Sequence, residues 1–236
     1  MIDKDFISTA ATKWQTTENN VLREYLQHNF LASLYKQKEA GQLLFKGGTA
    51  LRLLYQSPRF SEDLDFSSNI HSIKMIETML ENVLLELARQ SVGMEIVEAK
   101  KTTGGYLFAA ETNISGKVLG IKLNFVMKEK AKGVVVMINS IFLPSYNLVA
   151  LRLEDLVQEK IQALLIREKP RDFFDLYFIL RSNLAKDTVM KMHVQIKELI
   201  KNKKGNFSEL KQFLPKNFWS IIKDLRNNLL VELNRV

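Results

Sequence analysis

Apolar side chains at Val21, Leu22, Tyr25, Leu26, Phe30, Leu31 and Leu34 recur at the spacing of one helical face, and residues 2–40 contain no proline or glycine. That pattern predicts a helical N-terminal segment. Leu43, Leu44 and Phe45 form a short apolar run, read as strand or turn. Lys46-Gly47-Gly48-Thr49 follows, and then Ala50, Leu51, Leu53, Leu54 and Tyr55 suit a helix. Pro58 stops that helix, and residues 59–66 alternate polar and apolar as a strand does. An amphipathic helix is expected over about 72–90, then strands over 94–99, 106–112, 118–127 and 134–142 between glycine-containing turns. From Arg152 the helical period returns, over 153–166, 170–181, 187–201 and about 217–234. The run Lys201, Asn202, Lys203, Lys204, Gly205 reads as an exposed loop, and no internal repeat is visible. The expected organisation is α+β: residues 1–150 carry the sheet and the N-terminal helices, and 151–236 form a helical C-terminal part.

Composition adds limits rather than a function. With 236 residues and 46% hydrophobic content the chain can bury a substantial core. It has no cysteine, which excludes disulfides, thiolate metal sites and a cysteine nucleophile. The first residues are too polar for a signal peptide, and no segment approaches the roughly 20 apolar residues of a membrane span. A cytoplasmic location without membrane contact is therefore expected. His28, His71 and His193 stand too far apart for metal-ligand spacing. A formal charge of +8, from 34 Lys and Arg against 26 Asp and Glu, attracts polyanions such as RNA or a nucleoside triphosphate.

The chemistry concentrates between Lys46 and Phe66. A glycine pair before a helix lets the backbone approach phosphate oxygens, while the helix N-terminus offers unpaired N–H groups and Lys46 a cation. Alone, such a loop is equally a tight turn without a ligand. Thirteen residues separate Thr49 from Asp63, enough for one helix that returns the chain to a neighbouring strand. On a strand, Asp63 and Asp65 point the same way while Leu64 and Phe66 face the core. Two carboxylates this close suit a divalent cation, and Mg²⁺ prefers carboxylate and phosphate oxygens. That is the equipment of metal-assisted phosphoryl or nucleotidyl transfer.

The segments Lys46-Gly47-Gly48-Thr49-Ala50-Leu51 and Arg59-Phe60-Ser61-Glu62-Asp63-Leu64-Asp65-Phe66 resemble those of the AbiEii/MenT nucleotidyltransferase toxins. Glu159-Lys160-Ile161-Gln162-Ala163-Leu164 and Arg171-Asp172-Phe173-Phe174-Asp175-Leu176-Tyr177 are similar to the downstream helical motifs of that family, so the resemblance spans roughly 43–180. It implies a polymerase β-like nucleotidyltransferase core with a mixed sheet, a helical N-terminal segment and a helical C-terminal part. It also implies the toxin of a toxin–antitoxin pair, with a cognate antitoxin as partner. The activity implied is transfer of a nucleotide from an NTP to RNA, with the tRNA 3′ acceptor end as the acceptor, which blocks translation. Carried over by residue, Gly47, Gly48 and Thr49 would hold the triphosphate beside Lys46. Asp63 and Asp65 would hold Mg²⁺ or Mn²⁺, Lys160 would contact phosphates, and Asp172 and Asp175 would be the acidic catalytic positions.

The residues themselves leave alternatives. Lys160 also reads as a solvated lysine near Glu159 or Glu168, and Asp172 and Asp175 as first-turn acids that complement a helix dipole and pair with Arg167 or Arg171. Asn124 stands in the apparent strand Ile121-Lys122-Leu123-Asn124-Phe125, where polymerase-like sites commonly carry a third carboxylate. It offers a neutral ligand and no base. Ser61 shares the parity of Asp63 and Asp65 if 59–66 is extended throughout, which would put its hydroxyl beside the nucleotide; the other reading is a turn hydroxyl near Pro58. Two further functions fit the same residues: nucleotidylation of a protein, and a non-catalytic RNA- or NTP-binding module.

Overall fold

The N-terminal helical segment breaks at Gln15, whose backbone is left-handed at φ 53°. The computed structural model, which describes residues 2–114, 116–203 and 205–235, therefore begins with two helices, α1 (Lys4–Lys13) and α2 (Glu18–Leu34). Thr17 caps the second through a bond from the Asn20 N–H. The chain then runs through β1 (Leu43–Lys46), α3 (Gly47–Tyr55), β2 (Asp63–Ser68) and α4 (Ile73–Arg89). Strands β3 (Glu95–Thr102), β4 (Gly105–Ile114), β5 (Lys117–Met127), β6 (Gly133–Ile138) and β7 (Tyr146–Leu151) complete one seven-stranded sheet in the order β3-β4-β5-β2-β1-β7-β6.

The sheet is mixed. β1 pairs antiparallel with β2 and parallel with β7, and β2 runs parallel to β5; the β3-β4-β5 and β6-β7 pairs are antiparallel. Period two divides the central strands cleanly. Leu64, Phe66, Ile121, Leu123 and Phe125 are buried, while Asp63, Asp65 and Asn124 are half-buried and Lys122 is exposed. Phe66 stacks on Phe125 with ring centroids 5.1 Å apart and meets Phe45 at 5.6 Å. Helix α2 packs against α4 and β5, burying Leu22, Leu26, Phe30 and Leu34. His28 of α2 lies 2.9 Å from the Tyr146 hydroxyl of β7. Burial, with Arg52 nearby, pushes His28 down to about 4 and keeps its imidazole neutral.

The chain divides into a sheet unit, Met1–Gln56 with Phe60–Leu151, and a helical unit, Ser57–Arg59 with Arg152–Val236. The helical unit holds α5 (Leu153–Arg167), α6 (Pro170–Arg181), α7 (Lys186–Lys191), α8 (His193–Asn202), α9 (Trp219–Lys223) and α10 (Leu225–Leu233). Ile161 and Leu164 of α5, Phe173, Phe174 and Ile179 of α6, Ile196 and Ile200 of α8, and Leu225 and Leu229 of α10 form its core.

Several elements depart from the sequence pattern. The strand expected over 59–66 begins only at Asp63 and continues to Ser68. The strand expected over 134–142 ends at Ile138, and β7 follows in a stretch with no visible alternation. The helix expected over 187–201 breaks at Met192, and the one over 217–234 breaks at Asp224 between α9 and α10. Lys201 and Asn202, expected in a loop, end α8. Lys204 of the same run lies outside the described residues.

Candidate active site

Lys46 is the last residue of β1 and the N-cap of α3, so the glycine loop is the strand-to-helix junction itself. Gly47 has φ +85°, and a Cβ there would lie 2.9 Å from Asp65 Cβ and Cγ, with Oδ2 nearer still. Only glycine satisfies both conditions. The Asp65 carboxylate thus lies against the start of α3, where the helix dipole favours negative charge.

The neighbouring strands supply the rest. Lys46 is registered opposite Asp65 across the β1–β2 pair and is nearly buried. On the other side of β2, Asp63 is registered with Lys122 and Asp65 with Asn124. Asn124 Nδ2 donates to Asp65 Oδ1 at 3.0 Å and so fixes one carboxylate oxygen. The buried Thr49 hydroxyl donates to the Asp63 carbonyl at 2.6 Å, tying α3 to the first residue of β2. Gly48 is the second residue of α3 and is buried.

The segment ahead of Asp63 is held by α2, a contribution the sequence reading missed. Gln27 Nε2 donates to the Ser61 carbonyl at 2.9 Å and to the Glu62 carbonyl at 3.3 Å. Glu24 pairs with Arg52, whose guanidinium lies 3.4 Å from the centroid of the Phe60 ring. Glu24 and Gln27, both buried, interrupt the apolar face of α2, and polar residues at such positions are the one signal in the sequence that could have pointed to these anchors. Ser61 precedes the strand and is half-buried, so the parity argument that placed its hydroxyl beside Asp63 does not apply.

The remaining candidates belong to the helical unit. Asp175 is buried and accepts bonds from Arg59 Nε at 2.7 Å and Arg59 Nη2 at 3.0 Å, and from Lys160 Nζ at 2.7 Å. Burial opposes its ionisation, but the charges of Arg59 and Lys160 and their hydrogen bonds outweigh that and hold the carboxyl down to about 2. Lys160 is accordingly largely buried on Asp175. Asp172, one turn earlier on α6, is also buried. Arg167 donates to both its carboxylate oxygens, at 2.9 and 2.7 Å, and the Lys169 N–H donates to Oδ2 at 3.3 Å. This is ion pairing and helix capping at the start of α6, with Pro170 in its first turn.

The profile of the family described as nucleotidyl transferase AbiEii toxin, type IV TA system, matches residues 29–229, nearly the whole chain. The chain belongs to the AbiEii family. Type IV toxin–antitoxin membership implies an antitoxin partner for this AbiEii protein. The fold is that of nucleotidyltransferases. A Helicobacter pylori protein provisionally described as a nucleotidyltransferase is similar at 18% identity and TM-score 0.64, covering 93% of this chain and 95% of that one. JHP933 from Helicobacter pylori is similar at 21% identity and TM-score 0.61, covering 93% and 92%. No curated protein matches the sequence. Among the described residues no helix is long and apolar enough to cross a membrane.

Proposed function

We propose that this AbiEii protein transfers a nucleotidyl group from an NTP to the 3′ end of RNA, with tRNA as acceptor, and so acts as a toxin on translation. The observation that carries this reading is the placement of Asp63 and Asp65 on one face of β2, with Asp65 against the glycine start of α3. An anionic triphosphate and a divalent cation both belong at such a junction.

Among the described residues no three His, Cys, Asp or Glu side chains gather as a metal cluster. Two aspartates with the neutral Asn124 still fit Mg²⁺ or Mn²⁺, because Mg²⁺ is commonly held by one or two carboxylates plus substrate phosphates and water. Bound there, the cation would neutralise phosphate charge and favour the alkoxide form of the attacking hydroxyl.

The chain's own residues do the positioning. The N–H groups at Gly47 and Gly48 and the Lys46 ammonium receive triphosphate oxygens. Thr49 and Asn124 hold Asp63 and Asp65 in place through the bonds described above. The ribose hydroxyl oxygen forms a bond to the α-phosphorus as the bond from that phosphorus to the β-phosphate oxygen breaks. Pyrophosphate leaves with the electron pair, and the hydroxyl proton passes to water. Within the helical unit, Lys160 is the proposed phosphate-binding cation; Asp175 positions it, and Asp172 orders the start of α6.

Purified protein incubated with each labelled NTP, Mg²⁺ and total tRNA is expected to label RNA, with the signal lost in Asp63→Ala. Label on protein alone would favour a protein acceptor. No label on either would end the transferase reading.

A further inference from the structure

The sheet unit contains an open cleft of about 330 Å³ beside Asp63, whose lining includes Arg23, Glu62, Ala109, Gly120 and Lys122. Its position follows from strand register. Asp63 of β2 is paired with Lys122 of β5, and Lys122 with Ala109 of β4, so these three side chains form a row across one face of the sheet. Gly120, two residues before Lys122, shares that face. The cleft therefore extends from the first aspartate toward β4, away from β1 and the glycine loop.

We propose that this cleft is the acceptor subsite, which takes the terminal nucleotide and adjoining phosphate of a single-stranded RNA 3′ end and presents its hydroxyl at Asp63. The inference rests on the transferase reading above and adds the side from which the acceptor enters. Attacking and leaving oxygens lie roughly in line through the phosphorus. A triphosphate that runs back to the start of α3 leaves on the β1 side of β2. The hydroxyl must then arrive from the β5 side, where the cleft is.

The lining suits a nucleic-acid end. Ala109 and Gly120 leave a shallow floor on which a flat base or ribose can lie. Lys122 is exposed, and Arg23 makes a 3.1 Å pair with the half-exposed Glu62, a partly solvated pair with which a phosphate can compete. Glu111 lines the cleft as well, so the two cations offset part of the negative charge of Glu62, Asp63 and Glu111 that an incoming phosphate meets. The fold does not demand glycine at position 120. Its backbone is not left-handed, and an added Cβ would make only ordinary contact, 3.6 Å from Glu111 Cγ.

That makes Gly120→Val a variant expected to fold, since a β-branched residue suits a strand. The experiment measures KM for purified tRNA and for NTP separately, at several salt concentrations, in the full-length protein, Gly120→Val, Lys122→Ala and Lys122→Arg. Gly120→Val is expected to raise the tRNA KM about tenfold, because the added side chain fills the floor on which the base or ribose would lie, with the NTP KM nearly unchanged. Lys122→Ala should also flatten the log–log salt dependence of the tRNA KM by about 0.7, the release accompanying one phosphate contact, and Lys122→Arg should restore it. An unchanged tRNA KM in Gly120→Val and Lys122→Ala, or an NTP KM that rises in parallel, overturns the proposal while leaving RNA transfer by the parent protein standing. A parent protein that labels no RNA overturns both.

Discussion

A methyl group at position 47 would occupy the space of the Asp65 side chain. The backbone there is left-handed at φ +85°, a conformation that costs a non-glycine residue about 1–2 kcal/mol before any clash. Gly47→Ala must therefore either push Asp65 off the loop or distort the β1–α3 junction. The expected outcome is a lower thermal midpoint together with loss of nucleotidyl transfer. Retained stability with full transfer would show that Asp65 does not need its place against the glycine. Both residues were legible in the sequence as candidates, because Gly-Gly and Asp-x-Asp announce their chemistry by type and spacing. Their mutual contact was not, since it depends on β1 and β2 pairing in the register that sets Lys46 against Asp65. Asn124 was visible in the same way, as a strand residue of the right parity, whereas its bond to Asp65 required the parallel β2–β5 pair.

Helix α6 was readable to its ends, because Pro170 marks its first turn and the apolar period is unbroken to Arg181. Strand β2 was misread at its start because residues 59–62 alternate polar and apolar without pairing to a strand. Arg59 in that stretch is instead drawn to Asp175 in the helical unit, a partnership between residues far apart in sequence that no local pattern encodes. Strand β7 went unseen because it lies between β1 and β6 and buries residues of both parities at its end, which erases alternation. The Arg59–Asp175–Lys160 cluster gives a prediction at this scale. Removing one partner of a buried pair costs about 3–5 kcal/mol, so Arg59→Met should lower the urea midpoint at pH 7 markedly. The Asp175 carboxyl titrates lower in the folded chain than its ordinary value of 3.8, at about 2. Its contribution is therefore complete above pH 3.8 and is lost as pH falls from there through 2. In Arg59→Met, with one cation gone, the folded carboxyl titrates higher, so the loss still begins near pH 3.8 but is smaller and is complete at a higher pH. Parallel pH–stability curves for the two proteins would show that Arg59 does not hold Asp175 ionised.

At the scale of the whole molecule, the +8 charge and the absence of cysteine constrained partners and chemistry without choosing among them. The family and the order of sheet and helices followed from two short motifs and the hydrophobic period, while the seven-strand order needed pairings between distant segments. Family membership makes toxicity testable without knowing the acceptor. If Asp63 and Asp65 are the metal ligands, charge stabilisation worth several kcal/mol in the transition state disappears with either, although both side chains are half-buried and outside the apolar core. Induced in a bacterial host without its antitoxin, the parent chain should arrest growth. Asp65→Ala should accumulate to the same level and leave growth unaffected, with a melting curve close to that of the parent. Growth arrest by a folded, accumulating Asp65→Ala chain would separate toxicity from these carboxylates, and the harm would then have to come from binding RNA or NTP rather than from transfer.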